Sequence, residues 1–427
     1  MIFNKIASAL ARRGADKSIR TISILWVTTG AGAALAFLTQ AYMARSLGPR
    51  DFGTIMGLIT GAGLLVPVCT AGVAQFWLQA YGEEGVSSRR WLPASTLLLA
   101  ISTILTLAIV LASAHLSERL GYPRSLIIAF ALHVFGLAAN ELVGSQHQID
   151  GKYHQLALIQ FTPHLARLVL VASLSAFASL NLEWLTAVYA LVGIGMVIGA
   201  LVKLSSLWPD RDKARSLTEG ARISAVVYRA LPFGLAGLFH LIYFQSSISA
   251  LNWLSDSHSA GQYSAAFGVI AAVYLIPGVL YQKFLLPKIH FWGTHDRVKY
   301  REAFSVGSKA MAFVGCAVGM VLAVTAPYLM RYIFGEEYSD AAQLLRILSL
   351  AVPFMFVSHS AGVMLVSPRL SRLKMAIMGL VALANICVCI TVIPQHGATG
   401  AAWATLGSNA AIAALYFITA KHSLSKN

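Results

Sequence analysis

The sequence predicts an all-α membrane protein whose twelve transmembrane helices form two six-helix lobes related by a parallel pseudo-two-fold repeat. Three observations carry this. Of 427 residues, 57% are hydrophobic and only 11% charged, whereas soluble domains hold about 25% charged residues. Apolar runs of more than 20 residues recur between short turn-forming clusters, and at about 1.5 Å per residue such a helix crosses a hydrocarbon core of about 30 Å. The basic residues, finally, are spread unevenly over the turns. A spanning barrel would show short alternating strands instead, and is excluded.

The first two runs set the pattern. Ile22 to Ala44 is uncharged, a charged turn around Gly48 and Pro49 follows, and a second apolar run reaches about Leu78. Proline lacks a backbone donor and restricts the residue before it, so the pair ends one helix and opens the next. The basic residues before the first run resemble the start of a signal peptide, but the run is too long for that and no good cleavage site follows, so it reads as an uncleaved membrane helix. The remaining spans fall near 91–115, 124–146, 155–179, 183–207, 229–253, 262–286, 303–328, 341–366, 372–393 and 398–420. Trp91, Trp184, Trp208, Trp253 and Trp292 sit at or near span ends, as interfacial anchors do.

With the N-terminus in the cytoplasm, 24 basic residues lie on inside segments and 6 on outside turns, leaving Arg167 and Lys309 within spans. Such a bias orients a chain by the positive-inside rule, with both termini cytoplasmic. It also accounts for the net charge of +15, so nucleic acid is not called for as a partner. The polar stretch 209–228 reads as a cytoplasmic linker between a first lobe, 1–208, and a second, 229–427. Pro67 matches Pro277, and Gly53 matches Gly261, at corresponding places in the two lobes. Six spans per lobe give both the same orientation, so the repeat is parallel, and two such lobes around a polar cleft are a transporter plan.

Ionisable residues inside spans are functional candidates. Arg167 lies about twelve residues into the fifth span, and Gln160, His164 and Arg167 share one helix face by their spacing. Two readings follow: a cationic wall that holds an anionic headgroup, or a buried ion pair with Glu141 on the preceding helix. Glu141 is also a candidate for proton coupling. In the seventh span His240 and Gln245 are candidates to line the cleft. Gln40 and Gln75 suit sugar hydroxyls, and suit helix-to-helix hydrogen bonds equally. Lys309 is close enough to a span end to snorkel, His359 reads as a core histidine, and Arg45 as an interface anchor. Cys69, Cys316, Cys387 and Cys389 fall inside apolar spans without metal-ligand spacing. No outside loop exceeds about 15 residues, and the only paired carboxylates in one, Glu336, Glu337 and Asp340, lie in a turn of a kind that starts a helix, which argues against a membrane polymerase, ligase or glycosyltransferase.

Four stretches carry a resemblance. Ala44-Arg45-Ser46-Leu47-Gly48-Pro49-Arg50-Asp51-Phe52-Gly53 is similar to the signature after the first helix of polysaccharide flippases. Gly261-Gln262-Tyr263-Ser264-Ala265-Ala266 resembles the start of their eighth helix. Phe334-Gly335-Glu336-Glu337-Tyr338-Ser339-Asp340-Ala341-Ala342 resembles the turn before their tenth, and Ile393-Pro394-Gln395-His396-Gly397-Ala398-Thr399-Gly400-Ala401-Ala402 the turn before their last. In register, they resemble the multidrug/oligosaccharidyl-lipid/polysaccharide exporter superfamily, and within it the bacterial lipid-linked oligosaccharide translocases of the Wzx type.

That resemblance implies a non-enzymatic flippase of the bacterial inner membrane. It would move undecaprenyl-diphosphate-linked repeat units from the cytoplasmic to the periplasmic leaflet for O-antigen, capsule or exopolysaccharide synthesis. It implies a cationic cavity, no cofactor beyond a proton or sodium gradient, and the polysaccharide polymerase machinery as a partner. Where many relatives carry an acidic–arginine pair in the seventh helix, this chain has Gln245-Ser246-Ser247. The alternative, a cation-coupled multidrug antiporter, wants an acidic cavity, and only Glu141 lies deep in a span.

Overall fold

The structure is a computed structural model. It describes residues 2–119, 123–177, 179–205, 222–278, 296–365 and 368–426, together with 281, 285, 289 and 292. All of its regular structure is helical among these residues, as the composition predicts. In chain order the helices are α1 (Ile2–Thr70), α2 (Val73–Glu84), α3 (Leu92–Arg119), α4 (Arg124–Ile149), α5 (Tyr153–Phe177), α6 (Leu182–Ser205), α7 (Ile223–Leu254), α8 (Ser257–Gly278), α9 (Arg297–Leu329), α10 (Ala341–Ser349), α11 (Val352–Gly362) and α12 (Pro368–Lys426). Nine helical stretches of the described residues are long and apolar enough to cross a membrane, or ten if the bent pair α10 and α11 is one span. Residues 209–221 of the expected linker lie outside the described residues, and α7 begins at Ile223.

Breaks in the helices follow local chemistry. Gly48 stands at φ 72° in front of Pro49 and divides α1 into two arms, a conformation that costs a residue with a Cβ atom. Gly397, at φ 52°, divides α12 in the same way. The expected tenth span is bent by 41° between α10 and α11. Pro353 at the start of α11 explains the bend, because it cannot donate to the preceding turn. Pro163, by contrast, is carried inside α5 without a break.

All four stretches that carry the resemblance meet at the Gly48 end of the molecule. Phe52 is fully buried and meets the ring of Tyr338 edge-on at 6.1 Å. The Tyr338 hydroxyl donates to the Ala44 carbonyl at 3.0 Å. Gln262 donates through Nε2 to the Glu337 carbonyl at 2.7 Å and accepts from the Ala341 amide at 3.0 Å. Arg45 donates through Nε to the Ile333 carbonyl at 2.9 Å and through Nη2 to that of Tyr332. The expected interface anchor is therefore also a clamp on carbonyls of the helical turn Met330–Phe334 that follows α9. Gly397 stands beside Ser255 and Ser259, next to the same knot. Tyr338→Phe removes one buried hydrogen bond, worth about 1 kcal/mol. We expect the thermal midpoint of the purified protein to fall by about 2 °C in scanning fluorimetry.

From this knot the second arm of α1 runs along α7. A Cβ on Gly57 would strike Asn252, one on Gly237 would touch Pro67, and one on Gly234 would press on Ala71. Asn252 donates to the Gly53 carbonyl at 2.9 Å, and Thr60 shares a hydrogen bond with Ser249 at 2.7 Å. At the opposite end, Glu84 accepts from Arg90 at 2.9 Å and from the Trp91 indole at 3.0 Å. Arg229 of α7 reaches Glu83 at 3.3 Å and lies 5.1 Å over the Trp91 ring. Trp91 is thus buried under two arginines, whereas Trp184 and Trp253 keep the half-exposed posture of anchors.

Candidate functional site

The expected site residues fall into four places. Gln40 and Gln245 lie on the seam. The Gln40 Oε1 is 3.3 Å from where a Cβ on Gly268 of α8 would be, and the Gln245 Nε2 is 3.6 Å from the same point on Gly63. Both amides therefore face a glycine of the opposite half, which keeps the helices close and leaves the amide as the polar group at the contact. Gln75 and Glu141 form a second place, between α2 and α4, where the Gln75 Nε2 donates to the carboxylate at 2.6 Å.

Arg167 occupies the third place, inside the first half. Its guanidinium lies 5.1 Å over the Tyr189 ring of α6, and that ring makes an edge-on contact with His133 of α4 at 5.1 Å. The His164 ring lies 3.3 Å from the Cβ position of Gly32 on α1. No ion pair links Arg167 to Glu141, as one expectation had it. The reason is register: α4 brings His133, not Glu141, to the level of Arg167. Glu141 is eight residues further along α4, about 12 Å away along the axis, and faces α2. Nε and Nη2 of Arg167 and Nδ1 of His164 are buried without a hydrogen-bond partner. Gln160 shares the predicted spacing but is exposed, whereas His164 and Arg167 are half-buried. The spacing thus brings together two of the three residues expected on that face.

Beside α5 a groove of about 420 Å³ includes Asn140, His147, Pro163 and Lys203. Its ammonium is already paired: Lys203 donates to Asp150 at 2.8 Å. Burial pushes the Asp150 carboxyl up, but the hydrogen bond and charge of Lys203, with Lys152 and His147, hold it below the usual carboxylate range.

His240 belongs elsewhere, in a cavity of about 470 Å³ in the second half that also includes His359, Lys374 and Tyr416. Sequence reasoning counted Lys374 with the cytoplasmic loop charges and missed it. The expected span, 372–393, put Lys374 only two residues from its end, whereas the helix starts at Pro368 and places Lys374 six residues inside. Lys309 is exposed and Lys374 is not. Tyr189 and Tyr416, the rings under the two intramembrane cations, gave no signal of their own.

Comparison with known proteins places this geometry. Residues 42–343 match the family model described as polysaccharide biosynthesis protein. The chain is 26% identical over 335 residues to the succinoglycan biosynthesis transport protein ExoT of Rhizobium meliloti (strain 1021), across 74% of this chain and 62% of that protein's length. The fold is similar to the lipid II flippase MurJ in an inward closed conformation, with a TM-score of 0.69 at 14% identity, over 93% of this chain and 87% of that one. It is similar to an inward-facing multidrug resistance MATE transporter of the MOP superfamily, with a TM-score of 0.68 at 16% identity, over 92% and 95%. An outward-facing MATE transporter scores 0.58 at 16% identity, over 95% of this chain and 96% of that one. These relatives are transporters, and the four stretches that carry the resemblance are the ones that close the Gly48 end. With 42–343 matched and the fold shared, this chain belongs to the polysaccharide biosynthesis protein family, built on the fold of the MOP-superfamily transporters.

Proposed function

We propose that the protein flips undecaprenyl-diphosphate-linked oligosaccharide repeat units from the cytoplasmic to the periplasmic leaflet of a bacterial inner membrane, by alternating access. The observation that carries this reading is Arg167, a cation deep in the fold that has no anionic partner among the described residues. A buried charge without a partner costs several kcal/mol, and such a cost is retained where a ligand supplies the missing charge. The diphosphate is that charge. Glutamine, serine and tyrosine side chains on the seam would meet the glycan, and the polyprenyl tail would stay in lipid. The name of the ExoT relative, a succinoglycan biosynthesis transport protein, supports an exopolysaccharide as cargo; polymerase machinery would be the receiving partner.

Under this reading the chain folds as two six-helix lobes, 1–208 and 229–427, joined by a cytoplasmic linker. The contact of Gly53 with Gly261 supports the repeat, because residues matched between the lobes touch each other. The positive-inside bias makes the Gly48 end periplasmic. The higher similarity to inward than to outward forms then agrees with a state closed at that end. Deletion of the gene is expected to leave lipid-linked repeat units on the cytoplasmic leaflet; export that continues undiminished would refute the assignment. Glu141 is the candidate for proton coupling. Glu141→Gln keeps one acceptor oxygen for the Gln75 amide and removes the titratable proton, so export driven by an imposed proton gradient should fall about tenfold. Unchanged export would move coupling to another group or to sodium.

A further inference from the structure

The second half contains a site that the transport reading does not use. The cavity of about 470 Å³ is lined by His240 and Tyr243 of α7, Tyr274 of α8, Ser358 and His359 of α11, and Lys374 and Tyr416 of α12, with no carboxylate among its lining residues. Lys374 donates to the Gly362 carbonyl at 3.0 Å and lies 5.6 Å from the centre of the Tyr416 ring. An ammonium has three hydrogens, so two remain for a ligand. The Tyr274 ring meets His359 edge-on at 4.5 Å. No hydrogen bond from the Tyr274 or Tyr416 hydroxyl is formed within the described residues. The wall therefore offers a cation and two O–H donors, with no negative group to satisfy them. At roughly 30 Å³ per water, the volume admits a diphosphate with part of its hydration.

The arrangement repeats that of the first half. Counted along the expected spans, His133, Arg167 and Tyr189 come from the fourth, fifth and sixth; His359, Lys374 and Tyr416 come from the tenth, eleventh and twelfth. Each half thus sets a cation from its fifth helix over a tyrosine of its sixth, beside a histidine of its fourth. The depths differ. Arg167 is fourteen residues from the start of α5 and Lys374 six from the start of α12, about 21 and 9 Å along their axes. His240 is one turn from Gly237, which touches Pro67 across the seam, so the shallower site borders the contact between the halves.

We propose that the Lys374 cavity binds a phosphoanion and is the first docking site for the diphosphate headgroup, ahead of Arg167. Its ligand source, though not its anion chemistry, rests on the transport reading above. The test uses the full-length protein in phosphatidylcholine nanodiscs, with farnesyl diphosphate, inorganic pyrophosphate and farnesol as probes in calorimetric titration. Lys374→Met should weaken farnesyl diphosphate binding at least about tenfold, Lys374→Arg less than about threefold, and farnesol binding should not change. Unchanged diphosphate binding by a monodisperse Lys374→Met protein overturns the site. Pyrophosphate binding as tightly as farnesyl diphosphate upholds the anion site and overturns its assignment to a lipid headgroup.

A photoreactive farnesyl diphosphate on the unsubstituted protein avoids any folding defect. Adducts on peptides of α7, α8, α11 or α12 that hold lining residues support the site, and adducts confined to other helices overturn it. Failure here and failure of transport are separable. Glycan export that stops on gene deletion, without Lys374-dependent binding, removes only the cavity. Lys374-dependent binding with undiminished export on deletion removes only the flippase assignment.

Discussion

Replacing Arg167 by methionine is expected to abolish glycan export and to leave a more heat-resistant protein. The two effects have one cause. Arg167 holds two guanidinium nitrogens away from water with no hydrogen-bond partner, over the ring of Tyr189. Exchanging a buried, poorly compensated charge for an apolar side chain of similar length is neutral or stabilising by about 1–4 kcal/mol. The face toward Tyr189 loses a cation–π contact worth about 1–2 kcal/mol, which trims that gain without reversing it. Function should respond in the opposite direction. A diphosphate carried through the membrane interior without a fixed cation meets the full penalty of charge in hydrocarbon, so the rate should fall by at least about 100-fold. Arg167→Lys keeps the charge, loses the planar fork, and should retain part of the export. The measurements are surface glycan in a complemented deletion strain and the thermal midpoint of the purified protein. Wild-type export by Arg167→Met would remove Arg167 from the mechanism. A variant that is both inactive and less stable would reassign the residue to holding α4, α5 and α6 together.

Fold class and the break at Gly48 were legible in the sequence because each rests on a local cause. Long apolar runs have one backbone solution in lipid, and a Gly-Pro pair ends a helix wherever it stands. The candidate site was legible only in part, because its geometry depends on register between helices distant in the chain. Spacing on α5 puts His164 and Arg167 on one helix face. It did not say that α4 slides so that His133 rather than Glu141 arrives opposite Arg167. Lys374 was missed for a related reason. Depth within a span separates a snorkelling lysine from a buried one only when the neighbours are known, and those come from α7, α8, α11 and the second arm of α12. The four stretches of the resemblance were recognisable one by one, yet nothing in their spacing showed that they pack into one knot.

That knot is the basis of the second large effect. A Cβ on Gly261 would overlap the Pro49 carbonyl, and one on Gly53 would overlap the Ser257 carbonyl and press on the Gly261 amide. These obstacles are backbone, which cannot rotate away as a side chain tip can, so Gly261→Ala should cost the closed form about 3 kcal/mol. The same methyl meets no such obstacle once α1 and α8 separate. The substitution therefore penalises one conformation rather than the folded state as a whole, and about 3 kcal/mol of bias shifts a two-state equilibrium roughly 100-fold toward the form open at the Gly48 end. Export should be lost in a protein that still folds and inserts. Accessibility reads this directly: with the four native cysteines replaced, Gln40→Cys should react with a membrane-impermeant maleimide added on the side of the Gly48 turn several-fold faster when Gly261→Ala is present. A fall in thermal midpoint with no change in labelling would make the knot a structural clamp rather than a gate. Gly53→Ala should behave as Gly261→Ala does, and the pair should combine with less than additive effect, because once the contact has opened the second methyl has nothing left to strike.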